Sequence, residues 1–444
     1  MPQCAILAQS DLLVGFRGAM AWNRRYALRS YVRSALWIVP LAAYLASIVA
    51  IRVLGRVDEW LGWSWAWVLE VPVAQTALQG VITATLSFIV FTFSSLLVAI
   101  QVASAQLTPR VIATTLLRDN SIRSVVALFV FTLAFSLGTL ARTQDHVPYL
   151  LLLIAFVLGG IALAAFLYLI DYAARLLRPV SIVWRVGEEG LSVIDQVYPD
   201  RIEKRHIPTP PRPALGPPDR VILHQGISAI VLAVDLDTLR DEACRTDGVI
   251  EFAHQVGDFA AVGEPLFLLH GTAASADEAR LRSAVAMGPE RTIEQDATFA
   301  FRVIVDIALK ALSKAINDPT TAVLAIDQLH RLLRATGRRH LHDDVIRGEA
   351  GEMRVIFRTA SWDDFVHLSC REIRLYGAGN FQVARRLRAM LENLLMVLPE
   401  ARGPALREEL ELLDLTLERL DLLPKDLALA RLPDLQGLGG SSRC

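Results

Sequence analysis

The sequence is poor in lysine and cysteine, and it has no excess of charge of either sign. Its 45 basic residues nearly balance 46 acidic ones, which gives a net charge of −1. Because no basic excess is available to neutralise phosphates, we expect no nucleic-acid partner. The cysteines have no paired spacing, which argues against a disulfide framework or a zinc knuckle. They are Cys4, Cys244, Cys370 and Cys444.

Signatures of catalysis are also missing. The sequence contains no phosphate-binding loop, dinucleotide fingerprint, nucleophile elbow or HExxH zinc motif. Residues 340–344 include the side-chain types of a metal site, but their polar, arginine-flanked setting is more typical of a solvated loop. We therefore predict no metal, no cofactor and no enzymatic activity.

Apolar residues make up 53% of the sequence, and the excess is concentrated in one part of it. A helix needs about 20 apolar residues to cross the hydrocarbon core of a bilayer. Four runs reach roughly this length with no charge deep inside them, at residues 35–53, 76–105, 121–140 and 149–170. The sequence thus predicts an N-terminal segment at 1–33 and a transmembrane domain of four helices at 34–175.

Arginine is unevenly distributed between the two sides of these spans. It is frequent before the first span, between the second and third, and after the fourth. The loop after the first span instead carries four tryptophans, as an interfacial aromatic belt would. These are Trp60, Trp63, Trp65 and Trp67. Because basic residues mark the cytoplasmic side, we expect both termini and the C-terminal half in the cytoplasm.

The second predicted span carries small and polar residues on one narrow face. At about 100° per residue, the members of this stripe lie within about 60° of one another. The stripe consists of Gly80, Thr83, Ser87, Ser94 and Gln101. It is typical of close helix packing, and it would also suit the lining of a pore in a homo-oligomer. In a pore, Phe88, Phe91 and Phe93 would supply an apolar constriction.

The fourth predicted span has two features of its own. Ala155 with Gly159, and Gly160 with Ala164, form pairs of small residues that favour close helix packing. At the inner end of the span, Asp171 precedes Arg175 by four residues, which predicts an ion pair. An ion-binding carboxylate at an inner mouth is the alternative.

The remainder of the chain has the composition of a water-soluble protein. A connector at 176–219 ends in a proline-rich stretch. Short apolar runs predict a small β-module at 220–275, and helical spacing predicts a helical cytoplasmic domain at 276–430, followed by a flexible tail at 431–444. The fold class is therefore a membrane α-helical domain followed by a cytoplasmic α+β region.

One segment of the β-module, residues 256–266, resembles the glycine-containing hairpin of biotinyl and lipoyl carrier domains. That resemblance implies a barrel-sandwich-like fold. Those carriers attach their cofactor to a lysine, and no lysine lies between Lys204 and Lys310. We expect a structural module without a cofactor.

Polar residues recur at helical spacing in the region that follows. This candidate cytoplasmic polar cluster consists of Arg291, Gln295, Asp296, Arg302, Asp306, Asn317 and Asp318. An intramolecular ion-pair network accounts for its first five members. Asp318 before Pro319 is also a good helix N-cap. A ligand or subunit-contact site is the alternative for the whole set.

Two stretches of the chain resemble a known family. They are the exit of the second span at 98–110, and the series 291–296, 305–308 and 315–322. Both are similar to the bacterial family of predicted membrane proteins named domain of unknown function 2254, over about residues 30–400. The resemblance implies a four-span inner-membrane protein with no established activity and no catalytic residues. The family pattern would place histidines after the fourth span, where this chain has residues 171–174.

From these patterns we expect a homo-oligomeric channel or transport-like protein with a regulatory or assembly domain in the cytoplasm. Its partners would be the lipid bilayer, further copies of the chain, and ions. The alternative is a membrane scaffold or sensor that transports nothing and binds a cytoplasmic partner.

Overall fold

A computed structural model describes residues 22–35, 37–61, 69–106, 119–144, 147–176, 178–202, 215–341 and 344–440. Several predictions fall outside these ranges: the tryptophans of loop 62–68, the motif end at 107–110, most of the proline-rich stretch, and residues 342–343. The chain forms two compact units. We call Val32–Arg185 the membrane unit, and Met1–Tyr31 with Val186–Cys444 the soluble unit.

Fourteen α-helices occur among the described residues. Their bounds are α1 Trp22–Ser34, α2 Ile38–Leu61, α3 Val71–Gln106, α4 Asn120–Arg142, α5 Tyr149–Leu176, α6 Pro179–Val197, α7 Leu236–Thr246, α8 Glu278–Ser283, α9 Ala297–Ala311, α10 Pro319–Thr336, α11 Trp362–Gly377, α12 Phe381–Val397, α13 Gly403–Glu418 and α14 Pro424–Ala430. Helix α6 occupies much of the stretch that the sequence indicated only as a connector.

The membrane unit is built from α2, α3, α4 and α5. Each is long and apolar enough to cross a membrane, which confirms the four predicted spans. Helix α4 packs against the other three and buries the largest share of its residues. Phe129 and Phe135 of α4 are fully buried. The core of this unit is therefore arranged around α4.

Two glycines allow the membrane helices to approach closely. A Cβ at Gly138 of α4 would lie 2.3 Å from the Ile51 side chain on α2. A Cβ at Gly159 of α5 would lie 3.0 Å from the Val81 side chain on α3. Small residues permit exactly this kind of backbone approach in membranes. The predicted close packing at Gly159 is thereby explained within one chain.

The soluble unit contains two β-sheets. The strands are β1 Arg220–Leu223, β2 Ala229–Val234, β3 Val249–Gln255, β4 Phe259–Ala260, β5 Pro265–His270, β6 Val285–Gly288, β7 Val345–Arg347 and β8 Met353–Arg358. The larger sheet has the order β1-β5-β3-β8-β7, and the smaller one β4-β2-β6. Strands β3 and β8 are parallel, whereas the other pairs are antiparallel.

The boundary predicted at residue 275 does not separate strands from helices. Strands β6, β7 and β8 lie in the stretch for which the sequence predicted helices, and α7 lies inside the predicted β-module. These strands are short, so their period is hard to recognise, and they complete sheets begun some 50 to 100 residues earlier. The strand order does not confirm a barrel-sandwich.

The hairpin that suggested a carrier domain has the turns its glycines predict. Gly257 and Gly263 have φ angles of +96° and +90°, a region that favours glycine. Strand β4 between them pairs with β2. The predicted glycine turns are confirmed, although the strand order around them does not confirm a barrel-sandwich.

The segment predicted as a flexible tail is held in place over residues 431–440. The fully buried Arg385 donates hydrogen bonds to the carbonyl oxygens of Leu432 at 3.0 Å and Gly439 at 3.2 Å. The Asp434 carboxylate accepts from three backbone N–H groups, at 2.7–3.0 Å. A buried guanidinium requires acceptors, and this segment supplies them. These contacts give residues 431–440 a defined position in the soluble unit.

Candidate functional site

The predicted stripe on the second span lies on the outer face of the membrane unit. Its five residues, Gly80, Thr83, Ser87, Ser94 and Gln101, are all exposed. The inward side of α3 is formed instead by Ala74, Leu78, Thr85 and Thr92, which are buried. At about 100° per residue, the centres of these two sets lie about 170° apart around the helix. The stripe therefore faces away from the other described helices of the chain.

The hydroxyl groups of α3 are partly satisfied by their own helix. Ser87 Oγ donates to the Thr83 carbonyl oxygen at 2.8 Å, and Thr85 Oγ1 donates to the Val81 carbonyl oxygen at 2.7 Å. A Cβ at Gly80 would meet no atom within 4 Å. Packing within the chain thus explains neither the absence of a side chain at Gly80 nor the hydroxyls on this face.

Of the three phenylalanines predicted to form a constriction on α3, one packs against other helices and two are exposed. The Phe88 ring stacks on Phe166 of α5 with centroids 4.5 Å apart, and it lies 6.0 Å from the Phe129 ring of α4. Phe88 is accordingly a packing residue rather than part of a pore constriction. Phe91 and Phe93 are exposed, although the Phe91 ring also meets Phe166 edge-on.

A partly buried ionic network lies at one end of the membrane unit, and the sequence did not indicate it. The Asp119 carboxylate caps α4, accepting from the Ser121 and Ile122 backbone N–H groups. Arg185 of α6 donates to Asp119 at 2.6 Å and to the Tyr172 hydroxyl at 3.1 Å, while Tyr172 donates to Asp119. The network joins α4, α5 and α6. Tyr172 lies where the family pattern would place histidines.

By contrast, Asp171 and Arg175 behave as the spacing predicted. They form an ion pair across one helical turn, and both side chains are more than half exposed. A pair this exposed to solvent contributes little to stability.

The candidate cytoplasmic polar cluster separates into groups with different partners. In the first, Arg291 pairs with Asp296, which caps α9 by accepting from the Phe299 N–H at 3.0 Å. Gln295 lies beside this pair in sequence, and its side-chain oxygen accepts from the Val234 N–H at 3.1 Å. This first group joins the start of α9 to the end of β2.

The other members are fixed elsewhere. Arg302 pairs with Asp306 on α9 and with Glu372 on α11, the latter at 2.6 Å. Asn317 has a φ of +48°, a conformation that asparagine tolerates. Asp318 accepts from the Thr321 N–H at 3.1 Å and caps α10, with Pro319 in the first turn. The ion pairs and the cap are confirmed, but the seven residues do not form one site.

A cavity lies in the soluble unit, next to the first of these groups. Its volume is about 750 Å³. Its walls come from α1, the end of α6, the ends of β2, β3 and β8, and the loop before α9. Gln295 and Asp296 line it, together with His254, Glu294 and Arg358. Of the predicted site residues, these two alone contribute to its described wall.

The cavity wall combines aromatic rings with carboxylates. The rings belong to Trp22, Tyr198, Phe252 and Phe357. The carboxylates belong to Asp235, Asp237, Glu294 and Asp296. Burial raises the pKa of the Tyr198 hydroxyl, and the nearby charges of Asp296 and Asp344 raise this pKa further. Carboxylates and one guanidinium, that of Arg358, thus lie beside aromatic rings at this wall.

Four helices able to span a membrane, followed by a soluble unit of mixed helix and sheet, define a multi-pass membrane protein. The chain belongs to the family of predicted membrane proteins called domain of unknown function 2254, whose model matches residues 33–393.

Relatives of the chain include an uncharacterized protein of Mycobacterium bovis (strain ATCC BAA-935 / AF2122/97) and one of Mycobacterium tuberculosis (strain ATCC 25618 / H37Rv). Each is 30% identical over 409 residues, which cover 87% of this chain and 76% of the relative. No solved structure matches the chain significantly.

Proposed function

We propose that the protein is a homo-oligomeric channel or transport-like protein of the bacterial inner membrane, in which the outer face of α3 lines a shared polar path. The observation that carries this proposal is the exposure of Gly80, Thr83, Ser87, Ser94 and Gln101 on the side of α3 opposite its buried side. A single chain would present this face to lipid.

Lipid is a poor environment for such a face. Apolar hydrocarbon offers no hydrogen bonds to the Thr83 hydroxyl or the Ser94 hydroxyl. Water in a pore, or polar groups of a second copy, would supply them. Small residues at such a boundary favour helix association, and Gly80 together with the exposed Gly160 of α5 fits this requirement.

The proposal also includes the orientation of the protein in the membrane. The arginine-rich flanks favour a cytoplasmic position for both termini and the soluble unit. A periplasm-active reporter fused after Trp65 should be active, and one fused after Pro218 should be inactive. The reverse pattern would overturn this orientation.

Recordings from purified protein in planar bilayers test the channel directly. Ser87→Leu and Ser94→Leu should reduce or abolish unitary currents, because each replaces a hydroxyl on the polar face by a bulky apolar group. Leu86→Phe is the matched control. Leu86 is also exposed but lies about 100° around the helix from Ser87. Silence of the wild type under all ions and voltages would favour the second candidate.

The second candidate is a membrane scaffold or sensor that transports nothing. The cavity of about 750 Å³ in the soluble unit favours it, because such a volume suits a small ligand. In this case binding to the soluble unit would proceed without any conducted current.

A further inference from the structure

One side of helix α1 is held by the soluble unit. Trp22, Asn23, Tyr26 and Ser30 are half-buried, and at about 100° per residue they lie within about 100° of one another. The Trp22 ring stacks on Tyr26 with centroids 5.4 Å apart, and the Ser30 hydroxyl donates to Glu294 at 3.3 Å. The opposite side of the helix is therefore presented to its surroundings in a fixed orientation.

The exposed side of α1 carries three arginines. Arg24, Arg25 and Arg29 are exposed, and none of them forms a hydrogen bond or an ion pair with any described residue. The sequence of α1 contains neither aspartate nor glutamate, so no acidic side chain of this helix offsets their charge. Three guanidinium groups are thus available to an anionic partner.

Apolar side chains lie among these arginines. Leu28 and Tyr31 are 52% and 54% exposed. Leu28 lies roughly opposite the half-buried side, with Arg24 about 40° to one side of it and Arg25 about 60° to the other. Arginine can lay its apolar stem along such a surface while its charged group reaches outward. This arrangement is typical of helices that lie in the interface of a membrane.

The chain itself holds α1 near the bilayer. Helix α1 ends at Ser34, and α2, which is long and apolar enough to be the first span, begins at Ile38. Four residues of fully extended chain reach at most about 14 Å. Because a span begins at the edge of the hydrocarbon core, the end of α1 lies within reach of the phospholipid headgroups.

We propose that α1 binds the headgroups of anionic phospholipids at the membrane surface. Arg24, Arg25 and Arg29 donate hydrogen bonds to headgroup phosphates, and Leu28 enters the apolar boundary beneath them. Charge complementarity selects the lipid, because anionic headgroups attract basic residues next to a span. The proposal adds a lipid preference to the contact that any span makes with a bilayer, and it does not depend on conduction.

Fluorescence of the full chain in nanodiscs tests the proposal. Leu28→Cys carries the environment-sensitive dye nitrobenzoxadiazole, in a background that lacks Cys4, Cys244 and Cys444; Cys370 remains because it is fully buried. One set of nanodiscs contains dioleoylphosphatidylcholine alone, and in the other about 30% of it is replaced by anionic dioleoylphosphatidylglycerol with the same acyl chains. Emission should rise and shift to shorter wavelength in the anionic nanodiscs, and about 1 M NaCl should reverse most of this change.

Charge variants of the labelled chain locate the binding. Arg24→Gln, Arg25→Gln and Arg29→Gln together should lower the ratio of bound to free helix in anionic nanodiscs about fivefold per arginine, on the order of 100-fold in all. The emission of this triple variant should then be nearly the same in both kinds of nanodisc.

A second triple variant is the matched control. It replaces three exposed arginines elsewhere in the soluble unit by glutamine, so that the net charge changes by the same amount; they are Arg334, Arg338 and Arg419. It should respond to the anionic lipid as the unsubstituted labelled chain does. Thermal melting of both variants shows whether their folds are intact.

Three results would overturn the proposal. The first is equal emission of the labelled chain in neutral and anionic nanodiscs. The second is an equal loss of response in the two triple variants, which would assign the effect to net charge rather than to α1. The third is an equally large response to millimolar inorganic phosphate in neutral nanodiscs, which would indicate a site for soluble phosphate instead of a lipid headgroup.

Discussion

At the scale of single residues, substitutions of Asp318 distinguish a structural role of this residue from a functional one. Its carboxylate accepts from the Thr321 N–H at 3.1 Å and from the Thr321 hydroxyl at 2.5 Å. Serine caps helices about as well as aspartate, so Asp318→Ser should be nearly neutral, whereas Asp318→Ala should cost about 1 kcal/mol. Thermal melting in detergent measures both.

One particular result would contradict a purely structural role of Asp318. If Asp318→Ser melts like the wild type but changes the size of the particle in detergent, then capping does not account for this residue. The subunit-contact role that the sequence left open would take its place.

Two glycines of the membrane unit should respond differently to the same substitution. Gly159→Leu should destabilise the unit, because a side chain there would collide with Val81. Gly80→Leu should leave the melting temperature of the monomer unchanged, since the space beside Gly80 is open. If the outer face contacts a second copy, Gly80→Leu should reduce assembly. Size-exclusion chromatography with light scattering, read beside melting curves, distinguishes these effects.

Residue-scale predictions succeeded where the cause is local. The cap at Asp318, the turns at Gly257 and Gly263, and the ion pair of Asp171 with Arg175 follow from neighbours within a few positions. The network of Asp119, Tyr172 and Arg185 was missed because Asp119 lies 53 residues from Tyr172 and 66 residues from Arg185 in the sequence. The signal for it in the sequence was an acidic residue, Asp119, directly before the third span.

At the scale of elements, the segment at 431–440 is held by charges that depend on pH. Burial alone would raise the pKa of Asp434, but the N–H groups of Gly439, Gly437 and Gln436 hold this pKa below its usual range. A carboxyl with a depressed pKa contributes stability above its unfolded pKa, near 4, and this contribution is lost as the pH falls through the folded value.

We therefore expect the segment to loosen on acidification. Hydrogen exchange of its amides, corrected for the intrinsic pH dependence, should show protection from pH 7 down to about pH 4 and a loss below it. Asp434→Asn should have weaker protection at pH 7 and a flatter pH profile. Unchanged protection in this variant would show that the Asp434 carboxylate is not needed to hold the segment.

Whether a helix or strand could be predicted depended on the length of its sequence pattern. Spans of 20 residues or more have an unmistakable composition, and all four were located. The strands β7 and β8 have only three and six residues, and the pairing of β8 with β3 over about 100 residues of sequence is a tertiary effect. The strand propensity of a short segment does not predict that it pairs with a strand distant in the sequence.

At the scale of the whole molecule, the outer face of α3 is the feature on which the proposed function depends. The sequence predicted that the stripe residues share one face of a helix, but it could not tell which side of α3 faces the other helices. That depends on the buried set of Ala74, Leu78, Thr85 and Thr92, and so on how the four helices pack together.

Cysteine accessibility in native membranes tests this central claim most directly. Single cysteines would replace Ser87 and Ser94, with Leu86→Cys and Leu97→Cys as controls at exposed positions beside the stripe. The background lacks Cys4, Cys244 and Cys444. Cys370 can remain, because it is fully buried and burial raises the pKa of its thiol. A charged, water-soluble thiosulfonate reagent then reports contact with water.

If α3 lines a polar path, the reagent should modify the cysteines at positions 87 and 94 much faster than those at 86 and 97, because the reacting thiolate forms only where water reaches it. Equal and negligible modification at all four positions would contradict the account, since it would place the polar face of α3 in lipid.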